Sequence, residues 1–364
     1  MKKKSPLLRQ TILKYRFVVF SDLRWQSKRV LWPLVRGNAF LRGGFMEFHH
    51  LPVLLNECLE GLNIRPNGVY LDCTLGGAGH SSEILKRLES GMLIGIDRDA
   101  DAIEAARIRL ESLYSTARFA TLRGNFHDAP VLLEAVGLPN KIDGILVDLG
   151  VSSHQLDVRE RGFSYHDDAP LDMRMDQSQA LNAREIINTW PEDELNRIFQ
   201  DYGEEKWARQ IARVICDRRK DATIERTSQL VSIIDAAIPK KFRAKDDSHP
   251  ARRTFQALRI AVNDELAPLE PALRALTALL KPGGRLCVIT FHSLEDRIVK
   301  NAFRTLADPC TCPKHFPICL CGKKPVVRLI TRKPVTASAA ELADNPRARS
   351  ANLRVVEKLE VEEA

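Results

Sequence analysis

Residues 72–80 form a glycine-rich segment that could hold a nucleotide. The segment reads Asp-Cys-Thr-Leu-Gly-Gly-Ala-Gly-His and lies between a short apolar run and a predicted helix. Glycine lets the backbone approach a ligand closely, and the first N–H groups of a helix can face that ligand. Asp97 ends the next apolar run, where a carboxylate can accept hydrogen bonds from a ribose diol. These residues predict a nucleoside-binding turn; the alternative is a tight turn without a ligand.

Two more side chains are expected at the same edge of a parallel sheet, because they also follow apolar runs. Phe126 follows the third run and could stack on adenine or pack in the core. Asp148 ends the fourth run, before the polar stretch 149–153, and could hold a ligand or cap a turn. A Walker loop and a complete dinucleotide fingerprint are missing from the sequence. A ribose site without a phosphate grip favours S-adenosylmethionine over NAD or ATP.

The elements that position these residues alternate from residue 46 onward. Short apolar strands separated by helices are typical of βαβ units on a sheet covered on both faces. We therefore predict an α/β fold with a doubly wound, mostly parallel sheet. The predicted strands are residues 69–73, 92–97, 119–122, 142–148, 286–290 and 353–356, and the predicted helices among them include 81–88, 100–110 and 250 to about 280.

Helical periodicity alone covers roughly a hundred residues between the fourth and fifth predicted strands. We predict an inserted all-helical domain over residues 161–247, which interrupts one sheet domain formed by residues 46–160 and 248–364. An insertion at this point lies over the carboxyl edge of the sheet, where ligands of such folds bind. Its predicted role is substrate recognition.

Positive charge is concentrated at the start of the chain. The protein has 364 residues and a net charge of +8, but residues 1–45 alone hold 11 Lys/Arg and one acid. The rest therefore carries 44 bases and 46 acids. We expect residues 1–45 to lie outside the fold, as a transit peptide, an RNA-binding arm or a leader translated from an upstream start. Since no apolar run reaches the ~18 residues that span a bilayer, we exclude a membrane protein.

Four of the eight cysteines cluster at Cys310, Cys312, Cys319 and Cys321. They could coordinate Zn²⁺, but the C-x-C spacing is tighter than the usual C-x2-C, so we assign no metal ligand. The pattern of cysteines fits a reducing cytosol and a cytoplasmic protein. The surrounding basic loop, residues 310–333, has no acid and is the best candidate for phosphate binding outside the extension. Its basic residues are Lys314, Lys323, Lys324, Arg328, Arg332 and Lys333.

Several long motifs follow one another along the chain. They are residues 50–55, 72–80, 95–99, 143–153, 161–164, 170–176, 253–256, 291–297 and 345–350. With them the sequence resembles, from about Phe48 to Arg354, the RsmH (MraW) family of S-adenosylmethionine-dependent rRNA methyltransferases. The resemblance implies a class I, Rossmann-like fold and methylation of N4 of a cytidine in the decoding region of 16S rRNA. It also implies 16S rRNA or the small subunit as partner, and Met46 as the true start.

The resemblance places the cofactor contacts on seven residues. They are Ala78, which would contribute its backbone only, Gly79, His80, Asp97, Phe126, Asp148 and Gln155. The N4 amine is a poor nucleophile, because its lone pair is delocalised into the cytosine ring. A polar acceptor must therefore orient the amine toward the methyl group. Asp148 is the candidate for this catalytic role, although the Asp-Pro-Pro-Tyr segment common in amino methyltransferases is absent here.

Other interpretations remain open at this point. The chain could be a DNA amino methyltransferase, or a non-catalytic rRNA-binding assembly factor with a vestigial nucleotide pocket. His292 could satisfy a loop carbonyl or contact the substrate base. A polar helix stripe could meet RNA phosphate or water; it comprises Arg252, Gln256, Arg259 and Asn263. The oligomeric state is not predicted.

Overall fold

Seven strands of the described residues form one twisted sheet. The computed structural model describes residues 52–113, 119–239, 249–313, 318 and 320–360, so the basic extension 1–45 lies outside it. The strands are β1 (Val69–Asp72), β2 (Met92–Asp97), β3 (Phe119–Arg123), β4 (Ile142–Asp148), β5 (Leu280–Thr290), β6 (Val327–Leu329) and β7 (Asn352–Lys358). Their order is β3-β2-β1-β4-β5-β7-β6, with β7 antiparallel to both neighbours. This is the sheet of a class I, Rossmann-like fold and confirms the predicted fold class.

Helices cover both faces of this sheet and build the insertion. They are α1 (Leu55–Leu62), α2 (Gly79–Leu85), α3 (Ala100–Leu113), α4 (Ala129–Val136), α5 (Ser153–Asp157), α6 (Ala183–Thr189), α7 (Glu192–Asp201), α8 (Ala208–Arg218), α9 (Thr227–Ala237), α10 (Arg252–Asn263), α11 (Leu269–Leu279), α12 (Ser293–Ala307) and α13 (Ala339–Asp344). In the part of the chain that is described, none of them combines the length and apolarity that crossing a membrane requires.

Alternating side chains of the central strands supply two separate cores. Tyr70 and Leu93 point to the face covered by α1, α2 and α3. Leu71 and Ile94 point to the opposite face, covered by α4, α11 and α12. The period of two follows from the pleat of a strand. Because both faces are buried, these strands are almost continuously apolar in sequence, and their ends are where polar residues begin.

The insertion between β4 and β5 has its own hydrophobic core. Helices α6, α7, α8 and α9 bury apolar side chains together with α10, which contributes Phe255, Leu258 and Val262. The apolar core of the insertion thus includes a helix that follows residue 248. The predicted boundary at 247 falls outside the described residues and stays a prediction.

The long helix predicted from residue 250 to about 280 is wrong. The chain forms α10 and α11 instead, separated by a short break. Asp264 adopts a left-handed conformation, with φ of 47°, and ends α10. Pro268 precedes the first residue of α11 and has no N–H for a continuing helix. The apolar periodicity on the two sides of the break is what made one helix seem continuous in the sequence.

The last strands also differ from the prediction. β5 begins at Leu280, and the expected turn 281–284 is a bulge within it, where the pairing with β4 shifts. Gly283 has φ of 75°, which favours glycine at this bulge. β6 was not predicted, because it has three residues and buries only Val327. A strand of three residues is too short to show an alternating pattern in the sequence.

The insertion is fastened to the carboxyl edge of the sheet by segment 172–176. The side-chain amide of Asn263 donates to the carbonyl of Met173 over 2.8 Å, and its oxygen accepts from the N–H of Met175 over 2.8 Å. At the end of β3, Arg123 forms an ion pair of 2.9 Å with Asp176. The segment therefore lies beside the ends of the parallel strands, where the candidate site residues are found.

The polar stripe of α10 makes contacts within the protein. Arg259 forms two hydrogen bonds of 2.9 Å with Glu265, and Gln256 donates to the carbonyl that follows α7. Asn263 holds the insertion as described above, and Arg252 alone of the four is exposed. A contact of this stripe with RNA phosphate stays a prediction.

Candidate active site

The glycine-rich segment is the loop between β1 and α2. Asp72, at the end of β1, is buried and accepts hydrogen bonds from the Ser81 hydroxyl (2.7 Å) and the Thr74 N–H (3.1 Å). Burial raises the pKa of Asp72, and these two hydrogen bonds act against that rise. Asp72 therefore holds the loop at both ends, at Thr74 and at Ser81. It is a structural anchor rather than a ligand contact.

Two positions of the loop need glycine for different reasons. Gly76 has φ of 48°, in the left-handed region that favours glycine. At Gly79, the first residue of α2, an added Cβ would lie 2.6 Å from Cγ of Pro52. An added Cβ at Gly77 would meet nothing within 4 Å among the described residues. The loop is thus packed at Gly79 and open at Gly77.

Asp97, at the end of β2, fixes this loop to the sheet. One carboxylate oxygen accepts from the Gly76 N–H over 2.8 Å, and the other accepts from the Asp99 N–H over 2.9 Å. Burial raises the pKa of Asp97 to about 6, despite these two donors. A carboxylate oxygen accepts two hydrogen bonds, so each retains a lone pair for a further donor such as a ribose hydroxyl.

Asp148, at the end of β4, has an unsatisfied carboxyl oxygen. Its backbone N–H donates to the Thr74 hydroxyl over 2.7 Å, which joins β4 to the glycine-rich loop. Its Oδ1 is buried without a hydrogen-bond partner in the described residues. Burial, together with the charges of Asp72 and Glu295, raises the pKa of Asp148 to about 8. A buried acceptor without a donor indicates a group that a ligand completes.

His80 lies between the carboxyl of Asp148 and the backbone of Val53. Its Nε2 is 2.9 Å from the carbonyl of Val53, and because a carbonyl only accepts, Nε2 carries the proton. Its Nδ1 lies 4.0 Å from Oδ2 of Asp148. Nδ1 of His80 thus faces the carboxyl of Asp148.

Phe126 and Gln155, the other two side chains predicted to contact the cofactor, are packed against or hydrogen-bonded to other residues of the protein. Phe126 is buried in the core beneath α4, and its ring meets the ring of His127 edge-on at 4.3 Å. The side-chain amide of Gln155 donates to Asp99 over 2.9 Å, and its oxygen accepts from the N–H of Ser152 over 3.1 Å. Gln155 is linked through Asp99 to Asp97. The role of both residues as cofactor contacts stays a prediction.

One buried ion pair in this region was missed by the sequence reasoning. Arg161 lies 2.8 Å from Asp99, and both side chains are buried. Arg161 also donates to the carbonyls of Arg174 and Met175, within the segment that fastens the insertion. Both residues belong to motifs visible in the sequence, in 161–164 and 95–99. Their pairing could not be read there, because they are far apart along the chain.

His292 precedes α12 and contacts Glu295. Its Nε2 lies 3.1 Å from a carboxylate oxygen of Glu295, whose side chain is buried. The other oxygen of Glu295 accepts from the N–H of Phe291 over 2.9 Å. Burial acts to raise the pKa of Glu295, but His292 and the Arg259 charge outweigh it, and the pKa is lowered. His292 thus faces a carboxylate at the start of α12. A contact of His292 with the substrate base stays a prediction.

Replacing Asp148 by Asn should flatten the pH dependence of stability. The pKa of Asp148 is about 8 in the folded state against 3.8 ordinarily, so between these values only the folded protein holds this proton. The free energy of unfolding then falls as pH rises. The free energy of unfolding of Asp148→Asn, relative to that of the parent, should therefore increase by on the order of 2 kcal/mol when the pH is raised from about 5.5 to about 8.

Denaturant unfolding at both pH values measures this difference. Asp221→Asn serves as control, because Asp221 is exposed on the insertion. A stability difference between Asp148→Asn and parent that is the same at both pH values would contradict the raised pKa.

Known proteins are similar to this chain along most of its length. The model of the MraW methylase family matches residues 47–359. A ribosomal RNA small subunit methyltransferase H from Clostridioides difficile is 54% identical over 315 residues, covering 86% of this chain and 100% of that protein. The enzyme of the same name from Symbiobacterium thermophilum is 54% identical over 319 residues, covering 87% and 99%.

Solved structures are more distant. An rRNA methylase from Streptococcus thermophilus aligns with a TM-score of 0.35 and 11% identity, covering 84% of this chain and 93% of that one. At that score the similarity says nothing more about this protein. The sequence matches decide the matter: the chain belongs to the MraW methylase family, and it is a methyltransferase that uses S-adenosylmethionine.

Proposed function

We propose that this protein methylates N4 of a cytidine in the decoding region of 16S rRNA. Its support comes from relatives over 50% identical, which are named ribosomal RNA small subunit methyltransferase H. The observation that carries the proposal within the structure is the buried, unpartnered carboxyl oxygen of Asp148 beside the glycine-rich loop. An amine needs an acceptor of this kind. Because the substrate is ribosomal RNA, the proposed location is the cytoplasm.

The residues at the carboxyl edge fit the methyl donor. Its nucleoside half needs ribose acceptors and a backbone that allows close approach, and Asp97 and Gly77 offer these. The loop is already ordered by protein contacts, so binding costs little rearrangement. When bound, S-adenosylmethionine supplies a methyl group on a positively charged sulfur. In this arrangement Ala78 and Gly79 contribute main chain, and Asp97 holds the ribose.

Asp148 acts on the amine in this proposal. Its Oδ1 accepts a hydrogen bond from the N4 amine and turns the nitrogen lone pair toward the methyl carbon. As the N–C bond forms, the nitrogen must lose one proton. A carboxyl whose pKa is about 8 is a stronger base than an ordinary carboxylate and accepts that proton more readily. Nδ1 of His80, 4.0 Å away, can relieve Asp148 of it.

The basic loop 310–333 is the proposed contact for the RNA backbone. Lys323 and Lys324 are exposed, as Arg332 is, and lysine at such a surface can neutralise phosphate. Arg328 is partly compensated, because it forms an ion pair of 2.7 Å with Glu357. Lys314 lies outside the described residues. Lys333 is exposed as well, so four basic side chains of the described part of the loop are exposed and without an ion pair to Glu357.

Replacing Asp97 by Ala should weaken donor binding. The variant loses the acceptor for the Gly76 N–H and the proposed ribose acceptor, so we expect affinity to fall by about 10- to 100-fold. Titration calorimetry with S-adenosylmethionine measures it, with Asp221→Ala as control. Unchanged affinity in Asp97→Ala would remove Asp97 from the site.

The substrate is tested by offering several acceptors in parallel. Tritiated S-adenosylmethionine is incubated with the enzyme and 30S subunits, naked 16S rRNA or DNA, and the labelled product is digested to nucleosides. The proposal expects label in RNA, recovered as N4-methylated cytidine. Label in DNA would indicate a DNA amino methyltransferase. RNA binding without label would indicate an assembly factor, and either result overturns the proposal.

Asp148→Ala should abolish turnover while donor binding is partly retained. Loss of a proton acceptor typically costs about 10²- to 10⁴-fold in rate. In the parent enzyme, kcat/KM should rise with pH and level off above about 8, because only the ionised carboxyl accepts a proton. Methyl transfer across this pH range measures both effects. A variant with parental turnover would exclude Asp148 as the acceptor.

A further inference from the structure

The loop between α12 and β6 brings three cysteine sulfurs together. The Sγ atoms of Cys310, Cys312 and Cys321 all lie within 4.8 Å of one another. Those of Cys310 and Cys321 are 3.9 Å apart, nearly twice the length of a disulfide bond. Two thiolates on one tetrahedral zinc ion, each 2.3 Å from the metal, would be about 3.8 Å apart. The spacing therefore matches shared metal coordination and not a disulfide.

The chemistry around the sulfurs favours a soft divalent cation. Residues 309–340 contain no Asp or Glu, so the stretch offers no carboxylate for a hard ion such as Mg²⁺. Thiolate ligands select zinc among the common divalent metals. The backbone N–H of Leu320 donates to Sγ of Cys312 over 3.3 Å. Hydrogen bonds of this kind orient the ligands of metal sites.

Apolar burial does not explain the conformation of this loop. Ile318 and Leu320 are 72% and 74% exposed, although both are large and apolar. Cys58 and Cys287, by contrast, are fully buried in the core, and burial raises the pKa of both thiols. A metal ion that several side chains share can order a loop that has no apolar core. The sulfur spacing, too long for a disulfide, suits such an ion.

We propose that Cys310, Cys312 and Cys321 bind one zinc ion as thiolates. Each thiol releases a proton on binding, so three thiolates and Zn²⁺ together carry one negative charge. The fourth position is not assigned, and Cys319 lies outside the described residues. The zinc fixes the connection to β6, and with it the position of Lys323 and Lys324. This replaces the sequence-based assignment of no metal ligand and does not depend on the proposed substrate.

Metal content of the full chain tests the proposal. Protein purified without chelator, under a thiol-free reductant, is measured by elemental mass spectrometry. We expect one zinc per chain in the parent and in Cys216→Ser, a half-buried cysteine of α8 that serves as control. Cys310→Ser and Cys321→Ser should each lose most of the zinc. Metal-free parent protein, or zinc retained in both variants, would overturn the proposal.

A second measurement does not depend on the folding of any variant. Zinc in the parent is exchanged for Co²⁺, whose d–d absorption is intense in tetrahedral sites and whose thiolate bonds give a charge-transfer band. Both signals are expected. Their absence would show that the three cysteines hold no metal and would contradict a zinc site.

Discussion

Asp72, Asp97 and Asp148 lie at the ends of three adjacent parallel strands, and the carboxyl edge of the sheet is organised around them. Burial raises the pKa of each of them, and the hydrogen bonds each receives decide what it does. Asp72 and Asp97 receive donors from the glycine-rich loop and become its anchors. Asp148 has an oxygen that receives none from the described residues. One sheet edge thus contains two carboxyls that hold the glycine-rich loop and a third, that of Asp148, with an oxygen that the described residues leave unpartnered.

The insertion is attached to the same carboxyl edge of the sheet. Asp99 lies two residues beyond Asp97 and holds both Gln155 and Arg161, while Arg161 holds the segment that fastens the insertion to the sheet. Breaking a buried ion pair on one side leaves a charge without compensation, which is strongly destabilising. The insertion predicted to recognise the substrate and the glycine-rich loop are therefore linked through a few buried polar contacts.

The sequence predicted what local periodicity and topology determine. β1 to β4 were placed within one residue, and the parallel order brought Asp97 and Asp148 to one edge, as expected. The long helix through Asp264 was wrong, because a single left-handed residue interrupts a periodic pattern without erasing it. Contacts between distant residues could not be predicted. The Arg161–Asp99 pair joins residues about 60 positions apart and depends on packing, which composition and spacing do not encode.

Pro52 and Val53 support the glycine-rich loop. Pro52 fills the space above Gly79, and Val53 provides the carbonyl that sets the tautomer of His80. The next N–H, that of Leu54, is held by Glu341 of α13 over 2.7 Å. Removing the polypeptide through Val53 would therefore take away both the proline ring that packs against Gly79 and the carbonyl that accepts from His80, in a loop some 25 residues downstream.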